Sequence, residues 1–110
     1  MTDQGRKYLS DIYLAIELIE SFTKGISSYE NYQEDLKTQS AVERQLGIIG
    51  EAISKFEKLF PEINLDNARK IVGLRNRLIH SYDSIDSSII WAIIKNHITP
   101  LKLQVSKLKS

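Results

Sequence analysis

The strongest pattern in the sequence is a run of apolar residues at alternating spacings of four and three between residues 42 and 60. These residues are Val42, Leu46, Ile49, Ile53, Phe56 and Phe60. Because residues three or four apart share one face of a helix, the run predicts a long helix that is capped by Thr38 or Ser40 and ended by Pro61. A seam of this length needs another long helix to cover it. The chain is therefore expected to fold by packing helix on helix.

A second long helix is predicted at the start of the chain. It runs from about Asp3 to Lys24 and should end near Gly25, since glycine readily adopts the left-handed conformation that closes a helix. Its apolar seam consists of Tyr8, Ile12, Ala15, Ile19 and Phe22. A short helical turn is expected over residues 29–35.

The second half of the chain contains two further helical segments. The candidate N-terminal caps are Asn64 or Asp66 for the first segment and Ser84 or Asp86 for the second. The first should end at about His80, and the second should continue past Leu101, where Pro100 could kink it. No segment alternates with a period of two. The sequence thus predicts an all-α fold, an antiparallel bundle of four long helices and a short one, in a single domain over residues 1–110.

Gly47 and Gly50 lie beside the apolar seam of the long central helix. A glycine inside a helix costs about 1 kcal/mol relative to alanine. Such a pair predicts that another part of the structure approaches this backbone closely. Two interpretations are open, close packing against the first helix or a contact with a second subunit.

The composition excludes several classes of function. With 15 basic and 14 acidic residues the formal net charge is +1, so any anion site must be local. The absence of cysteine excludes disulfides, thiolate metal ligands and cysteine nucleophiles. The N-terminus is polar and no apolar run reaches the roughly 18 residues that span a bilayer, so a cytoplasmic protein with no membrane partner is expected. No glycine-rich phosphate loop is present and His97 has no second metal-binding side chain nearby in the sequence, so no cofactor or metal is expected.

Arg75 is the most unusual residue of the predicted fourth element. It lies in the middle of an apolar stripe formed by Ile71, Val72, Leu78 and Ile79. A guanidinium in that position costs several kcal/mol unless it meets a partner, a ligand or another subunit.

Two further polar residues should lie close to Arg75. Asn76 and His80 are four residues apart and share one side of the helix, and the long Arg75 side chain can reach the same space. A histidine at a helix C-terminus is suited to acid-base work, and an arginine provides a planar set of donors that matches a phosphate. The three groups together could act on a phosphodiester.

A purely structural interpretation of the same residues is also open, and spacing alone slightly favours it. Arg75 could pair with Glu43 or Glu51, His80 could cap the last carbonyls of its helix, and Tyr82 could be a packed aromatic residue. Glu43, Arg44 and Glu51 could contribute to a cleft beside Arg75, but a solvated or ion-paired helix face is the expected role. His97 is expected to be a surface or packing residue.

The eight residues from Arg75 to Tyr82 resemble the signature of the HEPN superfamily. That signature is an arginine, a polar residue, three further residues and a histidine, here in the extended form ending in tyrosine that is typical of HepT-like (DUF86) toxins. The likeness continues in the same order along nearly the whole chain. Residues 38–52 are similar to the family's long-helix signature, Pro61-Glu62-Ile63 to its connector, and Ile85-Asp86 with Trp91 to its last helix.

The resemblance implies a specific activity and assembly. Proteins of this kind are helical bundles that dimerise with the two signature helices facing each other, and the active members are metal-independent endoribonucleases. By that analogy His80 would be the general base or acid at the ribose 2′-hydroxyl, Arg75 would hold the scissile phosphate, and Asn76 would orient these groups. RNA would be the substrate, and the homodimer would bring two histidines to one cleft.

The resemblance also implies a partner. HepT-like proteins are paired with a small MntA-like nucleotidyltransferase antitoxin, in a type VII-like toxin-antitoxin system, and the signature tyrosine accepts adenylyl groups. Tyr82 matches that tyrosine. The alternative is a non-catalytic HEPN subunit that binds nucleotide or presents substrate to its nucleotidyltransferase.

Overall fold

The protein is all-α, as the sequence predicts. The structure, a computed structural model, describes residues 1–80 and 86–110, without the side chains of Ile79 and His80. The helices of these residues are α1 (Asp3–Thr23), α2 (Tyr29–Glu34), α3 (Leu36–Leu59), α4 (Ala68–His80), α5 (Ser87–Asn96) and α6 (Ile98–Lys109). No strand occurs in the described ranges. None of the described helices is both long enough and apolar enough to cross a membrane.

Helix α3 is the centre of the bundle and packs against both α1 and α4. Its predicted seam is confirmed from Val42 to Phe56, where every apolar residue of the run is fully buried. Helices α1 and α3 are antiparallel, because Gly5 near the start of α1 lies against the ring of Phe60 at the end of α3. One seam therefore organises most of the core.

The buried face of α1 is wider than the predicted seam. Leu9 and Ile16 are fully buried together with Ile12 and Ile19, whereas Phe22 is 37% exposed. The reason is that α1 packs against α6 as well as α3, so two neighbouring stripes of the helix are covered. The predicted seam of α1 was correct from Tyr8, which is half-buried and packs against the core, to Ile19, and wrong at Phe22.

The caps of α3 and α5 are aspartates. Asp35 accepts hydrogen bonds from the backbone N–H of Thr38 at 3.0 Å and from its hydroxyl at 2.7 Å, so α3 begins at Leu36. The predicted Thr38 or Ser40 cap was wrong, since Thr38 is the helical residue that donates to the cap. The predicted Asp86 cap is confirmed by its bond from the N–H of Ser88 at 2.9 Å.

Helix α4 begins later than either predicted cap, at Ala68. The residue before it, Asn67, has a positive φ of 61°, a conformation that asparagine tolerates better than most residues. The connector is held by α6, where the side chain of Gln104 accepts from the N–H of Asp66 at 2.6 Å and donates to the carbonyl of Asn64 at 2.8 Å. Contacts distant in sequence therefore decide where this helix starts.

The predicted final helix is two helices in the structure. Helix α5 ends at Asn96 and α6 begins at Ile98, with His97 between them. Pro100 explains the break, because proline has no N–H to donate to the carbonyl four residues earlier, Asn96, and its ring conflicts with that carbonyl. Pro100 lies in the first turn of α6, where a missing N–H is tolerated.

The short helix α2 holds α5 in place. The ring of Tyr32, which is fully buried, stacks on Trp91 with centroids 5.2 Å apart. The hydroxyls of Tyr29 and Ser87 are 2.8 Å apart and hydrogen-bonded. These contacts position the start of α5, just after the segment that links it to α4.

Only one of the two central glycines meets a close neighbour. A methyl group at Gly50 would lie 2.5 Å from Cβ of Arg75 and 2.9 Å from its Cγ, whereas one at Gly47 would meet nothing within 4 Å. The close approach predicted at this pair is therefore confirmed at Gly50, but it comes from α4 and not from the first helix. Gly50 lets the stem of Arg75 lie against α3.

This asymmetry predicts opposite effects of the same substitution at the two glycines. Gly50→Ala should lower the free energy of unfolding by about 1–3 kcal/mol, because the Cβ atom and the stem of Arg75 cannot occupy the same space. Gly47→Ala should raise it by about 0.5–1 kcal/mol through helix propensity alone. Urea unfolding of both variants tests this, and equal stability of the two would contradict the close crossing of α3 and α4.

Candidate functional site

Arg75 is held between α3 and its own helix. One guanidinium nitrogen, Nη2, donates to Oε2 of Glu51 on α3, and Nη1 donates to Oδ1 of Asn76 at 3.1 Å. The side chain of Arg75 is only 26% exposed and that of Glu51 is 43% exposed. Of the two acidic partners considered from the sequence, Glu51 is the one that pairs. The arginine in the apolar stripe is thus satisfied within the chain.

A groove of about 480 Å³ runs along α3 between α1 and α4, and Arg75 forms part of its wall. The charged residues that line it are Lys7, Asp11, Glu43, Arg44, Glu51, Lys55 and Arg75. These are four cations and three carboxylates. The groove is therefore not strongly basic.

Most cations of the groove already have a carboxylate partner. Lys7 pairs with Asp11 at 2.8 Å, and Lys55 lies 3.6 Å from the same Glu51 that pairs with Arg75. The hydrogen bond and charge of Asp11 raise the pKa of Lys7. An anionic ligand would have to compete with Glu51 for the guanidinium of Arg75.

Glu43 lies in the same groove in a less polar setting. Partial burial raises the pKa of its carboxyl. The expectation of an ion-paired helix face is correct for Glu51. The other role considered for these residues also applies, since Glu43, Arg44 and Glu51 line one groove together with Arg75.

Of the four predicted site residues, two are in contact, and the side chains of the other two lie outside the described part of the structure. Arg75 and Asn76 are hydrogen-bonded neighbours on α4. His80 is the last residue of α4, but its side chain lies outside the described residues, and so does the whole of Tyr82. The convergence of His80 on Arg75 and Asn76 therefore stays a prediction.

His97 has the packing role expected from the sequence. Its carbonyl accepts from the side chain of Asn67 at 3.1 Å, which ties the α5–α6 break to the start of α4. Its Nε2 is 3.4 Å from Nζ of Lys70. Burial and the charge of Lys70 both lower the pKa of His97. In the described part of the chain, no cluster of three or more histidine, aspartate or glutamate residues could hold a metal ion.

Sequence reasoning missed a second concave surface on α4. It faces α5 and carries Arg69, Lys70 and Arg77 around Gly73. The signal was present in the spacing, since residues 69, 73 and 77 are four apart and share one face of the helix.

Comparison with known proteins adds to this geometry. The profile of a family described as ribonuclease HepT-like matches residues 12–108. A protein of Thermococcus cleftensis named "Probable ribonuclease HepT" is 43% identical over 108 residues, covering 94% of each chain. A protein of Caldanaerobacter subterraneus named "Putative RNase" is 36% identical over 104 residues, covering 94% of this chain and 92% of that one. A protein of Methanocaldococcus jannaschii, also named "Putative RNase", is 35% identical over 104 residues, covering 91% of this chain and 92% of that protein. No solved structure matches.

The pair between Arg75 and Glu51 predicts a measurable coupling. In a double-mutant cycle with Glu51→Gln and Arg75→Gln, the two side chains should be coupled by about 0.5–1 kcal/mol, because the pair is only partly shielded from water. The coupling should shrink in 1 M salt, where the screening length is about 3 Å. Urea unfolding of the four proteins measures it.

The exposed pair of Lys7 and Asp11 is the matched control. Its side chains are 62% and 39% exposed, so the cycle with Lys7→Gln and Asp11→Asn should give the smaller coupling. A coupling for Arg75 and Glu51 that does not exceed the control would mean that the pair does not hold the arginine.

Proposed function

This chain belongs to the ribonuclease HepT-like family, and we propose that it is a metal-independent endoribonuclease whose site contains Arg75, Asn76 and His80. The observation that carries the proposal is the position of Arg75. Its guanidinium lies in the wall of a groove, where it is hydrogen-bonded to Asn76 and paired with Glu51. Five residues after Arg75, the same helix ends in a histidine, His80.

The proposed reaction is transfer of a phosphodiester within the RNA strand. His80 acts as a general base and takes the proton of a ribose 2′-hydroxyl, whose oxygen then forms a bond to the adjacent phosphorus. The bond from phosphorus to the 5′-oxygen of the next nucleotide breaks, and that oxygen takes a proton from a general acid. Arg75 neutralises the charge that develops on the non-bridging phosphate oxygens, and Asn76 orients the guanidinium.

The reaction needs both a proton acceptor and a proton donor, which supports a homodimer in which the two signature helices face each other. The chain has two histidines, and His97 is bonded to Asn67 at the opposite end of α4 from His80. The 13 residues from Asn67 to His80 span about 20 Å of helix. His97 cannot serve the same phosphate, so a second His80 from a second copy is the natural proton donor.

The proposed regulation is that of a type VII-like toxin-antitoxin pair. A cognate nucleotidyltransferase antitoxin transfers AMP from ATP to the phenol oxygen of Tyr82, with pyrophosphate as the leaving group. A free phenol has a pKa of about 10, so the partner enzyme has to activate it. AMP two residues from His80 adds bulk and negative charge, which excludes RNA from the site.

A second candidate function has its own support in the structure. Arg75 is already paired with Glu51 and bonded to Asn76, so its charge is neutralised and two of its donors are used. This arrangement favours a non-catalytic HEPN subunit that binds nucleotide or presents substrate to the nucleotidyltransferase. The experiments below separate the two.

The first prediction concerns RNA cleavage in the presence of EDTA. The wild-type protein should cleave RNA, and Arg75→Ala and His80→Ala should each lower the rate at least about 100-fold, as expected for loss of a phosphate clamp or a proton carrier. Gel analysis of a labelled RNA measures the rate. Thermal melting of each variant checks that it is folded.

A matched control exists for the arginine. Arg6→Ala removes an arginine that lines neither the groove nor the other surface of α4 and should leave cleavage within about two-fold of wild type. Cleavage that is absent, or that neither site substitution lowers, would rule out the proposed site. Cleavage that EDTA abolishes would rule out metal independence.

The second prediction concerns Tyr82. Incubation with the nucleotidyltransferase, ATP and magnesium should add adenylyl groups to the wild-type protein and not to Tyr82→Phe, while Tyr8→Phe should still be modified. Peptide mass spectrometry locates the group, and nuclease activity should fall as modification rises.

The outcomes of this experiment discriminate between the two functions. A protein that is modified on Tyr82 but shows no nuclease activity in either state is the non-catalytic subunit. Calorimetry with ATP and AMP then tests nucleotide binding directly. If the Tyr82→Phe variant is modified as fully as the wild-type protein, the proposed switch is contradicted.

A further inference from the structure

A second pocket lies on the other side of α4, between α4 and α5, with a volume of about 480 Å³. Arg69, Lys70 and Arg77 form its rim, and all three are exposed. Its floor includes Gly73 and Leu74. A pocket of this kind offers cations around an apolar surface.

The cations of this pocket differ from those of the groove in their partners. In the groove, Lys7, Lys55 and Arg75 each face a carboxylate. Within residues 1–80 and 86–110, no carboxylate lies within ion-pair distance of the three cations of the pocket, and none lines it. Of these two concave surfaces, the pocket between α4 and α5 is therefore the more basic.

The side chain of His97 lies next to one of the cations of this pocket, Lys70. Its Nε2 is 3.4 Å from Nζ of Lys70, and burial and, after it, the Lys70 charge lower the pKa of His97. A ligand anion bound at Lys70 would oppose that effect. The pocket is thus a place where added negative charge is favourable.

The apolar part of the pocket is open to solvent. Ile89 is 39% exposed, Ala92 is exposed beside it, and a side chain at Gly73 would meet nothing within 4 Å. A flat apolar ligand group can therefore lie on the floor while an anionic group reaches the rim. Each nucleotide of a single strand supplies one of each, a base and a phosphate.

The pocket continues from the proposed catalytic site around the circumference of α4. At about 100° per residue, Asn76 lies about 100° from Arg75, Gly73 about 160° and Arg77 about 200°. A smaller pocket of about 300 Å³ is lined by Asn76 and by Glu57 of α3, and it shares Arg69 and Gly73 with the larger one. The two pockets are therefore neighbours on α4, and among the described residues Glu57 is the one carboxylate that lines either of them.

We propose that this surface binds the single-stranded RNA that extends from the scissile phosphate. The phosphates of the strand lie on Arg69, Lys70 and Arg77, and one unstacked base lies on the apolar floor between α4 and α5. This assignment rests on the proposed ribonuclease function and names its substrate as single-stranded, because a paired base could not reach the floor.

Binding of an oligonucleotide that cannot be cleaved tests this separately from catalysis. The probe is a labelled 2′-O-methyl RNA of about 12 nucleotides, which lacks the attacking hydroxyl. The triple variant Arg69→Gln, Lys70→Gln, Arg77→Gln should bind on the order of ten-fold more weakly in low salt. The slope of log affinity against log salt should fall by about 2, since each phosphate contact in a single strand contributes about 0.7.

The matched control removes the same charge elsewhere. Lys24→Gln, Lys37→Gln, Lys58→Gln changes three exposed lysines outside this surface and should leave both affinity and slope nearly unchanged. Equal weakening in the two triple variants would mean that only net charge matters and would overturn the assignment. Equal binding of a hairpin duplex of the same length would overturn the single-stranded specificity.

A second pair of variants tests the floor with every charge retained. Gly73→Met should fill the floor and weaken oligonucleotide binding several-fold, whereas Gly73→Ala should bind as wild type does, because a Cβ there meets no neighbour. Unchanged binding by Gly73→Met would contradict the base site.

Histidine NMR distinguishes failure of this site from failure of the ribonuclease proposal. In His80→Ala the only remaining imidazole signal is that of His97, and its pKa should rise when the probe binds at Lys70. A rise with no cleavage by wild type would leave the binding surface standing and remove the nuclease function. No rise, with cleavage intact, would overturn the surface alone. Unaltered RNA binding in the triple variant would also overturn it.

Discussion

The crossing of α3 and α4 at Gly50 is the contact on which the candidate site depends. Arg75 can point towards α3 only because Gly50 has no side chain, and it remains stable there only because Glu51 and Asn76 accept its donors. The helix propensity lost at Gly50, about 1 kcal/mol, is therefore the cost of placing a cation at a helix crossing. With alanine at position 50 and leucine at position 75, α3 and α4 would pack as in an ordinary helical bundle, with no cation at their crossing.

The same crossing gives α4 two chemically different sides. On the α3 side, the charge of Arg75 is neutralised in place and the groove carries paired charges of both signs. On the α5 side, Arg69, Lys70 and Arg77 surround an apolar floor. An RNA strand that lay along both sides would meet a paired cation at one end and exposed cations at the other. Such a division suits a site that positions one phosphate and tolerates variation in its neighbours.

The fold and part of the site could be predicted from sequence because they rest on local patterns. The seam of α3 is correct from Val42 to Phe56, and an arginine within an apolar stripe correctly indicated that its guanidinium is paired. The errors fall where distant contacts decide. The start of α4 depends on Gln104, and the widened face of α1 depends on α6. The sequence offered the first helix or a second subunit as the neighbour of the glycine pair, whereas the neighbour of Gly50 is α4.

By itself the sequence determined the number of helices in the first eighty residues, the placement of Arg75 on the core-facing stripe, and the likeness to a ribonuclease family. These follow from spacing and residue type, which act within one or two turns of the chain. Only the tertiary structure decided that Glu51 rather than Glu43 neutralises Arg75, and that the cations of α4 meet an apolar floor on α5. Both outcomes depend on how helices cross, which is set by the packing of side chains far apart in sequence.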